Sequence, residues 1–254
     1  MLNNLKKLAT LALAASGVVV SGYAHADSKT YVVGTEAGYA PYEYLDEQGN
    51  IVGFDIDLIN YLCKEAGITC TIKNQSFDAL VPNLMYRKID IAIAAMNVTP
   101  ERAKQVAFTQ EYLPASPYAY LVTKTNNYQG VNDFTAVGYQ NGTLAAKYLQ
   151  DKVKNVRAVG YDSYDTALLD LKSGRISALL ADYQVAAKYV ENNQGQYTLF
   201  GQPVSDPILG QGLAIAVNKN NKELLAKLNV ALDKAKESGY LAQLQEKYNV
   251  TYAE

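Results

Sequence analysis

Histidine is almost missing from this sequence. The one residue of that type, His25, falls in an N-terminal stretch that reads as a cleaved leader, so residues 27–254 hold none. That excludes histidine metal ligands, histidine-based triads and histidine general bases from the mature chain. Cysteine is nearly as scarce, with Cys63 and Cys70 alone. In an exported protein two cysteines this close read as a local disulfide. Zinc is the competing reading, although two thiols without histidine make a poor site. No metal or cofactor is expected. Basic residues are not in excess: 23 Lys and Arg stand against 25 Asp and Glu, a net charge of −2. A mildly acidic surface without a basic run argues against nucleic acid. It suits a cationic small molecule. Beyond the leader no apolar run is long enough to span a bilayer.

The leader has Lys6 and Lys7, an apolar run from Leu8 to Val20, and the small-x-small site Ala24-His25-Ala26. This is the pattern of a secretory signal peptide over 1–26. No cysteine follows the cleavage point, so a lipid anchor there is not expected. Cleavage leaves 254 − 26 = 228 residues and removes two lysines, giving 21 basic against 25 acidic groups, a net of −4. Such a chain is one large domain or two small ones.

The stretch Phe77–Arg102 organises the rest. Leu80, Val81, Leu84 and Met85 recur at helical spacing. Ile89–Ala95 is a short apolar run that suits a strand covered on both faces. Thr99 can then cap a helix, Pro100 fits its first turn and Glu101 favours its positive end. Arg102 follows. A strand end, a helix N-terminus and an arginine at one point can hold a carboxylate. The alternative is that Arg102 pairs with a surface carboxylate.

Along the chain, strands are expected at 30–34, 51–53, 70–73, 118–122, 134–139, 156–159, 176–181 and 213–217. Helices are expected over 54–66, 143–149, 164–172 and 182–190, with two more across 222–248 broken near Ser238-Gly239. A weak repeat accompanies them. Placing Phe77-Asp78 on Tyr164-Asp165 also puts Leu84 on Leu171, Lys88 on Arg175, Ile89 on Ile176 and Ala95 on Asp182. Two βα lobes built alike would turn both sets of strand ends toward one cleft, where ligands of such sheets sit.

The motifs Gly53-Phe54-Asp55-Ile56-Asp57-Leu58, Phe77-Asp78-Ala79-Leu80, Asn97-Val98-Thr99-Pro100-Glu101-Arg102, Asn141-Gly142-Thr143, Asp182 and Gly210-Gln211-Gly212 are spread over the mature chain. In them the sequence resembles the bacterial periplasmic solute-binding proteins of polar amino acid ABC importers. Within that family it is similar to the arginine-binding and lysine/arginine/ornithine/histidine-binding members, which share the Cys63–Cys70 spacing. The resemblance implies an α/β fold of two lobes, each a mainly parallel sheet flanked by helices, joined by two crossing strands. Lobe one would be 27–115 plus 212–254 and lobe two 116–211. It implies a monomer in the periplasm that closes on a free L-amino acid and serves an inner-membrane permease. Arginine is the first choice, with lysine, ornithine and histidine behind it.

By the same resemblance Arg102 takes the ligand carboxylate, helped by the Thr143 backbone and hydroxyl, and Asp182 takes the α-ammonium. Tyr39 and Phe77 flank the side chain, and Glu36 sits where basic-residue binders often have an acid. Asp55 is a secondary candidate near the cleft. From the residues alone, Asp182 also reads as a helix cap at a strand end. Ala94, Ala95 and Asn97 line the site but depart from the family, which often has Ser or Gly at the first two and Ser, Thr or Asp at the third. An enzymatic alternative on this fold is a dehydratase of the phenylalanine pathway, with Glu36 or Asp182 as its acid. No dedicated acid pair stands out for that role.

Overall fold

The computed structural model describes residues 29–250; the expected leader over 1–26 lies outside the described residues. The chain opens with β1 (Thr30–Thr35) and a small three-stranded meander, β2 (Gly38–Tyr39), β3 (Glu43–Leu45) and β4 (Ile51–Val52). Helix α1 (Phe54–Glu65), β5 (Thr69–Asn74), α2 (Phe77–Met85), β6 (Ile91–Ala92), α3 (Pro100–Ala103) and β7 (Val106–Phe108) follow. The middle of the chain forms β8 (Tyr118–Thr123), β9 (Ala136–Gln140), α4 (Ala145–Lys152), β10 (Arg157–Tyr161), α5 (Tyr164–Lys172), β11 (Ala178–Asp182), α6 (Tyr183–Asn192) and β12 (Tyr197–Val204). The chain then returns through β13 (Ala216–Asn218) to α7 (Lys222–Glu237) and α8 (Tyr240–Tyr248).

Two five-stranded sheets result, in the orders β5-β1-β6-β13-β7 and β10-β9-β11-β8-β12. The orders correspond strand for strand. In each sheet one strand, β13 or β8, runs antiparallel to both its neighbours, and the other four run together. The repeat read in the sequence is therefore structural. Helices α2 and α5 are the same length and start on its aligned pair, Phe77 and Tyr164.

Local chemistry explains the elements. Helix α1 buries Phe54, Leu58, Ile59, Leu62 and Cys63 along one face, with Asp57 in its first turn and Lys64 in its last. Its charges complement the helix dipole. Cys63 and Cys70 are joined in a disulfide with Cα atoms 6.3 Å apart, tying α1 to β5. β11 is buried along its whole length, as expected for a strand covered on both faces.

Two expectations change. The apolar run Ile89–Ala95 pairs as regular strand only at Ile91 and Ala92. Ala95 turns into the left-handed region at φ 42°, and its N–H donates to Asp55 Oδ2 at 2.7 Å instead of to a neighbouring strand. Strand β12 was not foreseen, because Gly201 and Pro203 interrupt it. It lies at the sheet edge, half-exposed, with a register shift between Phe200 and Val204. Edge strands tolerate such residues.

Candidate functional site

Glu36 follows β1, Ala94-Ala95 follow β6, and Gln140 and Asp182 end β9 and β11, while Arg102 bonds to the segments that follow β6 and β9, on either side of the seam between the two sheets. Arg102 sits in the single turn of α3, where Thr99 Oγ1 accepts its backbone N–H at 3.1 Å. The cap is the expected one. The helix is only four residues long, so its N-terminus adds little as an anion site, a correction to the sequence reading. The guanidinium does the holding. It is 9 % exposed, donates to Asn97 O at 2.7 Å and to Gly142 O at 3.0 Å, and lies 5.4 Å above the Phe77 ring. Among the described residues its partners are carbonyls and no carboxylate. Burial lowers its pKa, against the raising effect of Tyr118 and Tyr39.

Two buried carboxyls lie at strand ends of the two different sheets. Asp182, at the end of β11, is 5 % exposed, and its Oδ1 accepts the Gln184 N–H at 2.9 Å. It is thus a helix cap as well as a seam residue. Burial raises its pKa to about 7, opposed by the Ser116 hydroxyl and the N–H groups of Gln184 and Val185. Glu36 follows β1 and is 8 % exposed, with Oε2 buried and without a hydrogen-bond partner. Burial raises it to about 6, while the Gln140 side chain lowers it.

Asp55 lies one layer deeper and plays another part. Its Oδ2 accepts from Ala95 N and from the Tyr112 hydroxyl, at 2.7 and 2.9 Å, so it shapes the strand end that floors the site. Burial raises its pKa to about 6. Glu43, fully buried beside it, is pushed up further by burial and then by the Asp55 charge.

The aromatic residues divide. Phe77 is stacked on Arg102. Tyr39 packs between Tyr42 and Tyr164, with ring centroids 6.0 and 5.5 Å away. Thr143 spends both its N–H and its hydroxyl on Gln140 O, at 3.2 and 2.6 Å. Ala94 and Ala95 are buried, and Asn97 donates through Nδ2 to Gln211 O at 2.9 Å. The sequence reading did not single out Gln140, Ser116, Tyr164 or Glu43. Gln140 stands beside the Asn141-Gly142-Thr143 motif and Ser116 between Ala115 and Pro117, but nothing local signals that a polar side chain there is buried.

Cavities of about 250 and 240 Å³ flank this cluster along the seam. One touches Gly38, Asp165 and Tyr189; the other touches Phe77, Arg102 and Gly142. A larger space, about 630 Å³, lies among the connecting segments 114–117 and 203–210 and includes none of the charged groups above. Tyr189 OH donates across the seam to Gly38 O at 3.2 Å.

Paired α/β sheets whose strand ends enclose one buried cation and two buried carboxyls define a two-lobed binding protein for a small charged solute. The family model of bacterial extracellular solute-binding proteins, family 3, matches residues 31–251, and the chain belongs to that family. It is 40 % identical over 247 residues to ABC transporter arginine-binding protein 1 of Escherichia coli (strain K12), covering 96 % of this chain and 99 % of that one. Its fold superposes with TM-score 0.83 on a Salmonella typhimurium periplasmic binding protein described as highly arginine-specific, at 42 % identity over 87 % of this chain and 99 % of that one. An ancestral arginine-binding protein solved with glutamine is similar at TM-score 0.80 and 36 % identity, over 86 % of this chain and 97 % of that one. The relatives are solute-binding proteins, and the dehydratase alternative is not favoured.

Proposed function

We propose that this protein captures a basic amino acid, L-arginine first, in the periplasm and delivers it to an inner-membrane ABC permease. The observation that carries this is the charge count at the seam. One buried cation, Arg102, and two buried carboxyls, Glu36 and Asp182, lie at or just after strand ends of the two sheets. That is the complement of a molecule with one carboxylate and two cationic groups. A neutral amino acid would leave Glu36 uncompensated, which is costly in a buried site. The names of the relatives support the same ligand.

In this reading Arg102 binds the α-carboxylate with Thr143 beside it, and Asp182 binds the α-ammonium. Phe77 and Tyr39 border the side chain, Ala94, Ala95 and Asn97 supply backbone and amide contacts, and Asp55 supports them from below. The division into lobes at 27–115 with 212–254, and 116–211, is supported by the strand membership of the two sheets. The lobes close over the ligand.

Calorimetry of refolded, ligand-free protein against the twenty amino acids tests the proposal. L-arginine should bind tightest. Lysine and ornithine, whose compact ammonium stacks less well, should bind ~1 to 2 kcal/mol more weakly. Glu36→Gln should weaken arginine more than any neutral ligand. A preference for glutamine, or unchanged arginine affinity in Glu36→Gln, overturns the assignment of the side-chain pocket.

A further inference from the structure

We propose that Tyr189 is a positioning residue for ligand capture, its hydroxyl clasping the second lobe to Gly38 O of the first across the seam. This rests on the reading above that two lobes close over an amino acid, and adds what holds them shut. Tyr189 lies on α6, between β11 and β12 of one sheet, and Gly38 opens β2, just after β1 of the other. The hydroxyl donates to Gly38 O at 3.2 Å. Burial, then the Asp165 and Glu36 charges, raise its pKa, so the phenol stays protonated and can donate. Its single proton has another acceptor close by, Asp165 Oδ1 at 3.4 Å, on α5 of its own lobe.

A second bond crosses the seam on the other flank, where Arg102 Nη2 donates to Gly142 O at 3.0 Å. Each bond borders one of the two cavities beside the buried charges. Gly38 and Tyr189 line the first, Arg102 and Gly142 the second. Attachment at two points, one on either flank of the site, resists twisting as well as opening. The two bonds differ in what they depend on. Arg102 is also the proposed carboxylate contact, so its hold on Gly142 cannot be separated from ligand contact. Tyr189 stands outside the proposed ligand set and contributes closure alone. When the lobes part, its hydroxyl turns to the exposed Asp165. Closing therefore exchanges one acceptor for another, and the gain is modest. A closing term that does not involve the ligand scales every affinity by the same factor. It acts on dissociation, because the bond forms after the ligand has entered.

The test uses mature, disulfide-bonded protein stripped of ligand by unfolding and refolding, as wild type and Tyr189→Phe. The variant loses the hydroxyl alone, and its ring keeps the edge contact with Tyr164, centroid to centroid 6.4 Å. Calorimetry and stopped-flow tyrosine fluorescence are run with L-arginine, L-lysine and L-ornithine. Affinity should fall roughly threefold to tenfold, by the same factor for all three, through faster dissociation. The ligand-free urea midpoint should not move, which separates closure from a role in folding. A loss confined to arginine, a loss in association, no loss, or an equal loss of ligand-free stability overturns the clasp and leaves the functional reading intact. If wild-type protein prefers a neutral amino acid, the basic reading fails, while an equal loss across the ligands that bind still supports the clasp. Wild-type protein that binds no amino acid overturns both.

Discussion

Replacing Glu43 by glutamine should remove a specific slope from the pH dependence of stability. Glu43 and Asp55 are buried together in one sheet's base, at 1 % and 0 % exposure. Two carboxyls in such a place do not both ionise. Asp55 takes the charge, because Ala95 N and the Tyr112 hydroxyl donate to it. Glu43 keeps a proton: burial, and then the Asp55 charge, raise its pKa well above 4.5. The sign follows. Above pH 4.5 the unfolded chain releases this proton while the native state retains it. Its stabilising contribution is complete below the unfolded value and is lost as pH rises through the folded one, at about 1.36 kcal/mol per pH unit. Asp55, raised to about 6, adds its own slope chiefly below that pH. As pH rises above the unfolded value, wild type should therefore lose stability relative to Glu43→Gln. The Glu36 and Asp182 charges also raise the Glu43 pKa, so they act in the same direction. Urea unfolding of ligand-free protein, followed by far-ultraviolet circular dichroism because the chain has no tryptophan, measures this directly. Parallel pH profiles for the two proteins would show that Glu43 is ionised in the native state and refute the argument.

Arg102→Ala should cost ~3 kcal/mol or more of amino acid affinity with the fold retained; calorimetry showing near-wild-type affinity removes Arg102 from the site. Replacing Cys63 and Cys70 by serine should lower stability by roughly 2 kcal/mol, as expected for a short closed loop, and leave affinity nearly unchanged. Thermal melting and calorimetry on the same preparation separate the two effects. At Gly142, φ is 77° and an added Cβ would stand 2.8 Å from Asp78 Cα on the other side of the seam. Gly142→Ala should therefore weaken arginine binding roughly tenfold, beyond a loss of about 1 kcal/mol in ligand-free stability. An unchanged dissociation constant would show that the cleft closes without this approach.

What could be read from sequence was what local chemistry sets. Helix α5 spans Tyr164–Lys172 as its apolar spacing and the following Gly174 require. The Thr99 cap on Arg102 is written in four consecutive residues. The disulfide follows from two cysteines in an exported chain. Other features depend on residues far apart. Ala95 leaves its strand because Asp55, forty positions earlier, takes its N–H. Nothing around Ala95 encodes that, so the strand was read too long. Gln140 directly precedes Asn141 and Gly142, residues that favour turns, yet the fold buries it. Glu43 was invisible for the same reason: only the packed meander brings it to Asp55.

Asp182 shows how a structural role and a binding role coexist. From sequence the cap and the ammonium ligand were rival readings. The structure makes the cap real, since Oδ1 accepts the Gln184 N–H. A carboxyl used only as a cap gains from the helix terminus and has its pKa lowered. Asp182 goes the other way, to about 7, although Ser116, Gln184 and Val185 all pull it down. Burial outweighs three hydrogen-bonding partners. A group arranged solely for helix stability would stay more exposed. In the proposed reading, the cap fixes the orientation of a carboxylate whose desolvation is offset when a cation binds, and fixing it beforehand lowers the ordering cost of binding. Arg102 follows the same logic with the opposite charge, held by two carbonyls and, among the described residues, bonded to no carboxylate. In the proposed reading, the two halves of an amino acid backbone supply what each lacks.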